Sequence, residues 1–155
     1  MYNYQPQGQP YQQPYQQPYR PMPARQLKTN RGLLKYILLN LITGGIYSIF
    51  VWSSISSDIN EIASRYDGKK TNHYCLVYFL FSWLTCGICF LTWNHKLCDR
   101  IGCELRRRGI FYDIGAGTFW GWNILGSLII VGPFVYCYKV FKAMNLLAGH
   151  YNFNG

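Results

Sequence analysis

The chain has 155 residues, half of them hydrophobic and 18 % aromatic, and only 14 % carry a charge. So little charge at that length argues against an ordinary water-facing domain and leaves room for one domain plus a tail. A formal net charge of +9 would suit nucleic acid in a soluble protein. Here the basic residues flank apolar blocks, where anionic lipid and the positive-inside rule account for them, so nucleic acid is not an expected partner.

Residues 1–27 read as a disordered Tyr/Gln/Pro-rich tail. Pro6, Pro10, Pro14 and Pro18, with Tyr11, Tyr15 and Tyr19, set a four-residue PYQQ period. A segment with so few aliphatic groups cannot build a core and samples extended, solvated polyproline II. It reads as a solubilising spacer or as a docking ligand for a partner or for other copies of the chain. Arg20, Arg25, Lys28, Arg31 and Lys35 follow as a basic collar, which places the tail in the cytoplasm. No small-residue cleavage site follows the first apolar block, so no cleavable signal peptide is expected.

Residues 28–150 read as a helical membrane domain. Three apolar blocks, 33–55, 74–93 and 119–141, each approach the roughly 20 residues that a membrane-spanning helix needs. The expected fold is therefore an all-α integral membrane protein. The blocks carry an internal echo. "LITGGIYSIFVW" at 41–52 returns as "WLTCGICFLTW" at 83–93 and more faintly as "LIIVGPFVYCY" at 128–138, giving units of about 31–68, 72–109 and 116–149. Each unit is an apolar helix, a break, and a second helix. Thr43, Gly44 and Gly45 form the first break, Thr85 and Gly87 the second, Gly132 and Pro133 the third. A threonine hydroxyl can cap a new helix, and proline suits a first helical turn because it lacks the donor that would be orphaned there. Gly68, Gly109 and Gly149 read as helix C-caps.

Beyond each break the helix turns amphipathic. Ile55, Ile59, Ile62 and Tyr66 recur at three or four residues, and Leu97, Ile101 and Leu105 do the same in the second unit. Those stripes are expected at the membrane surface, with Trp52, Trp93 and Tyr138 as interfacial anchors where the helices leave hydrocarbon. "LLKYILLNLITGGIYSIFVWSSISSDINEIA" and its echo "TCGICFLTWNHKLCDRIG" resemble the membrane-protein family of the domain of unknown function 4234, over roughly residues 28–149. The resemblance implies a prokaryotic, multipass membrane protein in the bacterial inner or plasma membrane, without an assigned activity or site. The third copy departs most, with Val131-Gly132-Pro133 at the break and Asn145 where an acidic residue would be expected.

The first helix of each unit has 11 to 13 residues and reaches only about 16–20 Å, short of a hydrocarbon core of about 30 Å. Each unit is therefore either a hairpin dipping in from one face or a straight span kinked at glycine. Three hairpins put all fifteen Lys and Arg residues on one face, whereas three spans divide them ten to five. The hairpin arrangement is preferred, and it needs the breaks to pack together so that their backbone groups are satisfied.

No catalytic constellation emerges, and neither an enzyme nor a cofactor is expected. Cys86 and Cys89 have redox or metal spacing, and His95 and Asp99 share a helix face near Cys98 and Cys103. The cysteine pair lacks the soluble surroundings that such a site uses, and a solvated interfacial helix would carry the second set as well. The apolar blocks hold no Asp, Glu or Arg, which argues against coupled transport. Gly117 and Gly121 permit a close helix crossing. The expected function is a non-enzymatic membrane scaffold or interaction protein with a cytoplasmic tail, its partners being the lipid bilayer, anionic at the basic flanks, and a protein partner or a second copy. The alternative is a small channel or carrier for a small or amphiphilic solute.

Overall fold

Each break in the sequence ends one helix and starts another. The computed structural model describes Pro23 and residues 25–155. The reading of the tail lies outside the described residues for positions 1–22 and 24. Helix α1 is Leu33–Ile42 and α2 is Ile46–Asp67. Helix α3 covers 74–84 and contains a π-helical stretch, Val77–Phe81. Helix α4 is Ile88–Arg107. Helix α5 covers 116–129, π-helical over Phe119–Ile124 and 3₁₀ over Leu125–Ile129. Helix α6 is Gly132–Asn154. No strand occurs among the described residues.

The breaks are reversals of direction. A straight helix would put Tyr36 and Trp52 about 24 Å apart. Instead the Trp52 indole N–H donates to the Tyr36 hydroxyl at 3.3 Å. Likewise Tyr74 of α3 meets Trp93 of α4 at 5.3 Å between ring centres, and Phe119 of α5 meets Tyr136 of α6 at 5.7 Å. The chain therefore folds into the helical pairs α1–α2, α3–α4 and α5–α6. Straight spans kinked at glycine do not occur.

In the first two turns a threonine joins both helices. Thr43 Oγ1 donates to the Leu39 carbonyl at 2.7 Å and accepts the Tyr47 N–H at 3.0 Å. Thr85 Oγ1 donates to the Phe81 carbonyl at 2.6 Å and accepts the Cys89 N–H at 3.2 Å. One hydroxyl thus occupies a carbonyl of the ending helix and an orphan donor of the next. The residue before each new helix, Gly45 or Gly87, has a φ of 92° or 87°, which only glycine adopts at little cost. The third turn is built differently. Its left-handed residue is Ile130, with a φ of 57°, and Gly132 opens α6 with Pro133 in the first turn.

Helices α2, α4 and α6 lie parallel. Trp52, Trp93 and Tyr136 all stand near the starts of their helices, and Trp52 meets Trp93 at 6.4 Å and Tyr136 at 5.9 Å. Near the other ends, Tyr151 Oη donates to Glu61 at 3.0 Å and the Arg107 guanidinium stacks on the Tyr66 ring at 3.5 Å. Starts meet starts and ends meet ends. The stripes Ile55, Ile59 and Ile62, Leu97, Ile101 and Leu105, and Val140, Met144 and Leu147 are fully buried between them.

Four expectations are corrected. No helix among the described residues is long and apolar enough to cross a membrane, so the structure does not support an all-α integral membrane fold. The long helices α2, α4 and α6 keep their apolar stretches to their first halves and turn polar beyond. The amphipathic stripes face one another across the bundle, not a lipid surface. Trp52 and Trp93, expected as interfacial anchors, are core residues with 6 % and 5 % of their surface exposed, because equivalent positions of parallel helices converge on one layer. Gly149 caps nothing, since α6 continues to Asn154, whereas Gly68 does end α2 with a left-handed φ of 62°.

Candidate functional site: a charge-free apolar end above a basic ring

The three turns and the half-helices around them form one end of the molecule. Asp, Glu, Lys and Arg are absent from 36–57, 71–94 and 114–138. Core packing uses only part of these stretches. Leu41 is 80 % exposed, Trp83 91 %, Leu84 81 % and Leu128 86 %, and Ile42, Ile46, Phe79, Leu80, Ile129 and Ile130 stand open beside them. Scattered exposed apolar residues are ordinary, but a contiguous surface of this kind marks an interaction site.

At 1.5 Å per residue, about 18 Å of α2 separates Ile46 from Asp58, its first charge. Lys35 lies about 10 Å from the turn on α1, Lys96 about 12 Å on α4, and Lys139 and Lys142 about 10–15 Å on α6. Whereas α2 carries its first charge, an acidic one, deeper, the basic residues of α1, α4 and α6 thus begin at a common level. Aromatic side chains share that level. Tyr138 is half exposed, Lys142 lies over both the Tyr138 and Tyr112 rings, and the Trp120 indole donates to His95 Nδ1 at 3.0 Å.

The turns at the apolar end satisfy much of their own backbone. Gly45 N–H reaches the Asn40 carbonyl at 2.8 Å, Ser48 N–H the Gly45 carbonyl at 3.1 Å, and Phe90 N–H the Gly87 carbonyl at 3.0 Å. That matters because an unpaired backbone group in an apolar medium costs several kcal/mol.

The opposite half is polar and tightly paired. Arg25 and Arg31 bond the buried Asp58. Arg100 reaches Asp67, Asn60, Thr71, Ser64 and the Lys69 carbonyl. Burial alone would push the Glu104 carboxyl up, but hydrogen bonds from Arg107 and Arg108 outweigh it and hold it below the usual range. Burial, then the neighbouring Arg108 and Arg107 charges, push His150 down, matching the Arg108 N–H aimed at its Nδ1 at 2.9 Å. Two asparagines on α6 clamp the segment before α1. Asn152 bonds both the N–H and carbonyl of Leu27 at 2.8 Å, and Asn145 does the same for Arg31 at 3.1 and 2.8 Å. The clamp explains why Asn145 stands where an acidic side chain was expected: an amide offers a donor and an acceptor together, and an ionised carboxylate only accepts.

The family model for the domain of unknown function DUF4234 matches residues 31–103. That segment belongs to the DUF4234 family. It starts at the clamped Arg31 and covers the first two helical pairs as far as Cys103, leaving the end of α4, α5 and α6 outside. DUF4234 is a family of unknown function and assigns no site. No curated protein and no solved structure matches the chain.

Within the DUF4234 segment the residues considered for metal or redox chemistry do not converge. Cys98 is buried against the Tyr136 hydroxyl at 3.4 Å, and burial pushes its thiol up to about 12, against the lowering effect of that hydrogen bond. Cys103 faces Arg106, Asp99 points outward, and His95 pairs with Trp120. Among the described residues no group of three or more His, Cys, Asp and Glu stands close enough to hold a metal ion. Cys86 and Cys89 are free thiols at the apolar end. Sequence reasoning missed Arg100, Asn145 and Asn152. The signal for the last two was their seven-residue spacing, which puts both on one face of α6 two turns apart.

Proposed function

We propose that this protein is a non-enzymatic membrane-surface interaction module. Its apolar end seats in one leaflet of a bilayer without crossing it, and its polar half stands in the aqueous phase and carries the N-terminal tail towards a protein partner or further copies. One observation carries this reading: an exposed charge-free cap about 10–18 Å deep ends in a basic ring with aromatic neighbours. Half of a hydrocarbon core of about 30 Å is the same depth, so the ring falls at the phosphate level. Basic residues there favour an anionic leaflet, which supports the cytoplasmic face of the cell membrane as the location. The segment before α1 is clamped on the polar half, so the described chain approaches α1 from the side away from the apolar end. The channel or carrier alternative calls for elements that cross the bilayer, and no helix among the described residues is long and apolar enough to do so.

Vesicle flotation tests the reading. The full chain should float with vesicles, most strongly with anionic ones. The triple substitution Leu41→Asp, Leu84→Asp and Leu128→Asp should abolish flotation, since each aspartate in an apolar environment costs about 3 kcal/mol, or roughly a hundredfold. Deletion of residues 1–24 should leave flotation intact and reduce self-association on the vesicle. A wild-type chain that stays unbound, or a triple variant that floats equally well, overturns the proposal.

A further inference from the structure

The groove between α2 and the clamped segment before α1 grades from polar to apolar along the helix. Its part nearer the turns is a cavity of about 300 Å³ walled by Tyr47, Phe50 and Val51 of α2, with Lys28 and Lys35 at its rim. It adjoins a cavity of about 410 Å³ walled by Ser53, Ser57 and His73, and the two share Lys28 and Ser54. From Ser54 to Tyr47 the apolar wall runs about 10 Å towards the apolar end. The positive charge at the junction is uncompensated. Among the described residues neither Lys28 nor Lys35 has an acidic partner, and Asp58, beside the second cavity, is taken by Arg25 and Arg31.

We propose that this groove binds one anionic phospholipid. The phosphate lies at Lys28 and Lys35 with the Ser54 hydroxyl as a further donor, and an acyl chain follows Tyr47 and Phe50 towards the apolar end. The proposal rests on the one-leaflet reading, which puts the groove mouth at the headgroup level, and adds a discrete site to the diffuse attraction of the basic ring. The complementarity is that of an amphiphile: charge meets charge at one end of the groove, and aromatic side chains meet hydrocarbon at the other.

Native mass spectrometry of the full chain in neutral detergent, titrated with phosphatidylglycerol or phosphatidylcholine, tests it. One phosphatidylglycerol should bind per chain at least tenfold more tightly than phosphatidylcholine. Lys28→Gln with Lys35→Gln should weaken that adduct at least tenfold, and Phe50→Asn should weaken it without changing the charge. Lys69→Gln with Lys70→Gln should leave it unchanged, and glycerol phosphate should not compete. Equal binding of the two lipids, equal losses in both lysine pairs, or displacement by glycerol phosphate overturns the site. The two readings fail differently. A wild-type chain that floats without a selective adduct sinks this site alone, whereas a chain that never floats sinks the one-leaflet reading.

Discussion

Gly102 shows how one missing side chain shapes the polar half. A Cβ there would lie 2.2 Å from the Ile114 carbonyl oxygen, so α4 can meet the strand-like connection before α5 only through a glycine. Gly102→Ala should cost about 2–3 kcal/mol by forcing backbone apart, read as a lower denaturation midpoint. By contrast a Cβ at Gly117 or Gly121, which suggested a close crossing, would meet nothing within 4 Å, and the close approach falls at Gly126 and Gly132 instead. Glu104 is the clearest titratable contributor. Its carboxyl pairs with Arg108, and both side chains are nearly inaccessible. Against the raising effect of burial, hydrogen bonds from Arg107 and Arg108 hold the carboxyl below the ordinary glutamate value of 4.5 in the folded state. The stability it contributes is therefore complete above pH 4.5 and is lost as pH falls through the folded value. Glu104→Gln should flatten that acid limb and cost about 3 kcal/mol at neutral pH, because Arg108 is left buried without its countercharge. Unfolding midpoints across pH 2–7 for both proteins would measure the two effects together.

At the level of the elements, a turn works when both helices it joins are capped by the same groups. Thr43 and Thr85 do this with a single hydroxyl each, and the adjoining glycines supply the left-handed step. The asparagine clamp is the equivalent device for the extended segment before α1. Leu27 and Arg31 are four residues apart in extended chain, and Asn152 and Asn145 are two helical turns apart on α6, so the two repeats match at about 10–13 Å. Asn145→Ala leaves an N–H and a carbonyl of Arg31 without partners and should cost about 2 kcal/mol. Hydrogen exchange should then accelerate at the Arg31 amide while the amides of α4 keep their protection. Uniform loss of protection would show that the clamp holds the whole bundle.

The whole molecule separates its charge by height. Below the Trp52, Trp93 and Tyr136 layer, the buried stripes of α2, α4 and α6 make a core, and ion pairs such as Asp58 with Arg31 and Asp67 with Arg100 close the polar surface. Above it there is too little chain to enclose its own apolar residues. Leu41, Trp83, Leu84 and Leu128 therefore face outward, and burying each would contribute about 1.5–3 kcal/mol. That surplus is what the flotation experiment exploits. Because the three parallel helices present all three turns at one end, their contributions act on one surface.

Much of this was legible in the residues. The positions of the turns followed from Thr43-Gly44-Gly45 and Thr85-Cys86-Gly87, since turn chemistry is local. The helical character of the chain and the charge-free stretches followed from periodicity and composition. So did the match to DUF4234, a property of the residues themselves. The tertiary structure decided the rest. A charge-free block of some 20 residues reads alike whether it runs straight or doubles back, and tertiary contacts such as the Tyr36–Trp52 hydrogen bond and the Tyr74–Trp93 ring contact tell the two apart. An amphipathic stripe of Ile55, Ile59 and Ile62 is equally suited to lipid or to a neighbouring helix. That Trp52 and Trp93 turned inward, and that the stripes found each other, depended on α2, α4 and α6 lying parallel, and contacts between residues 40 or more positions apart leave no local trace in a single sequence.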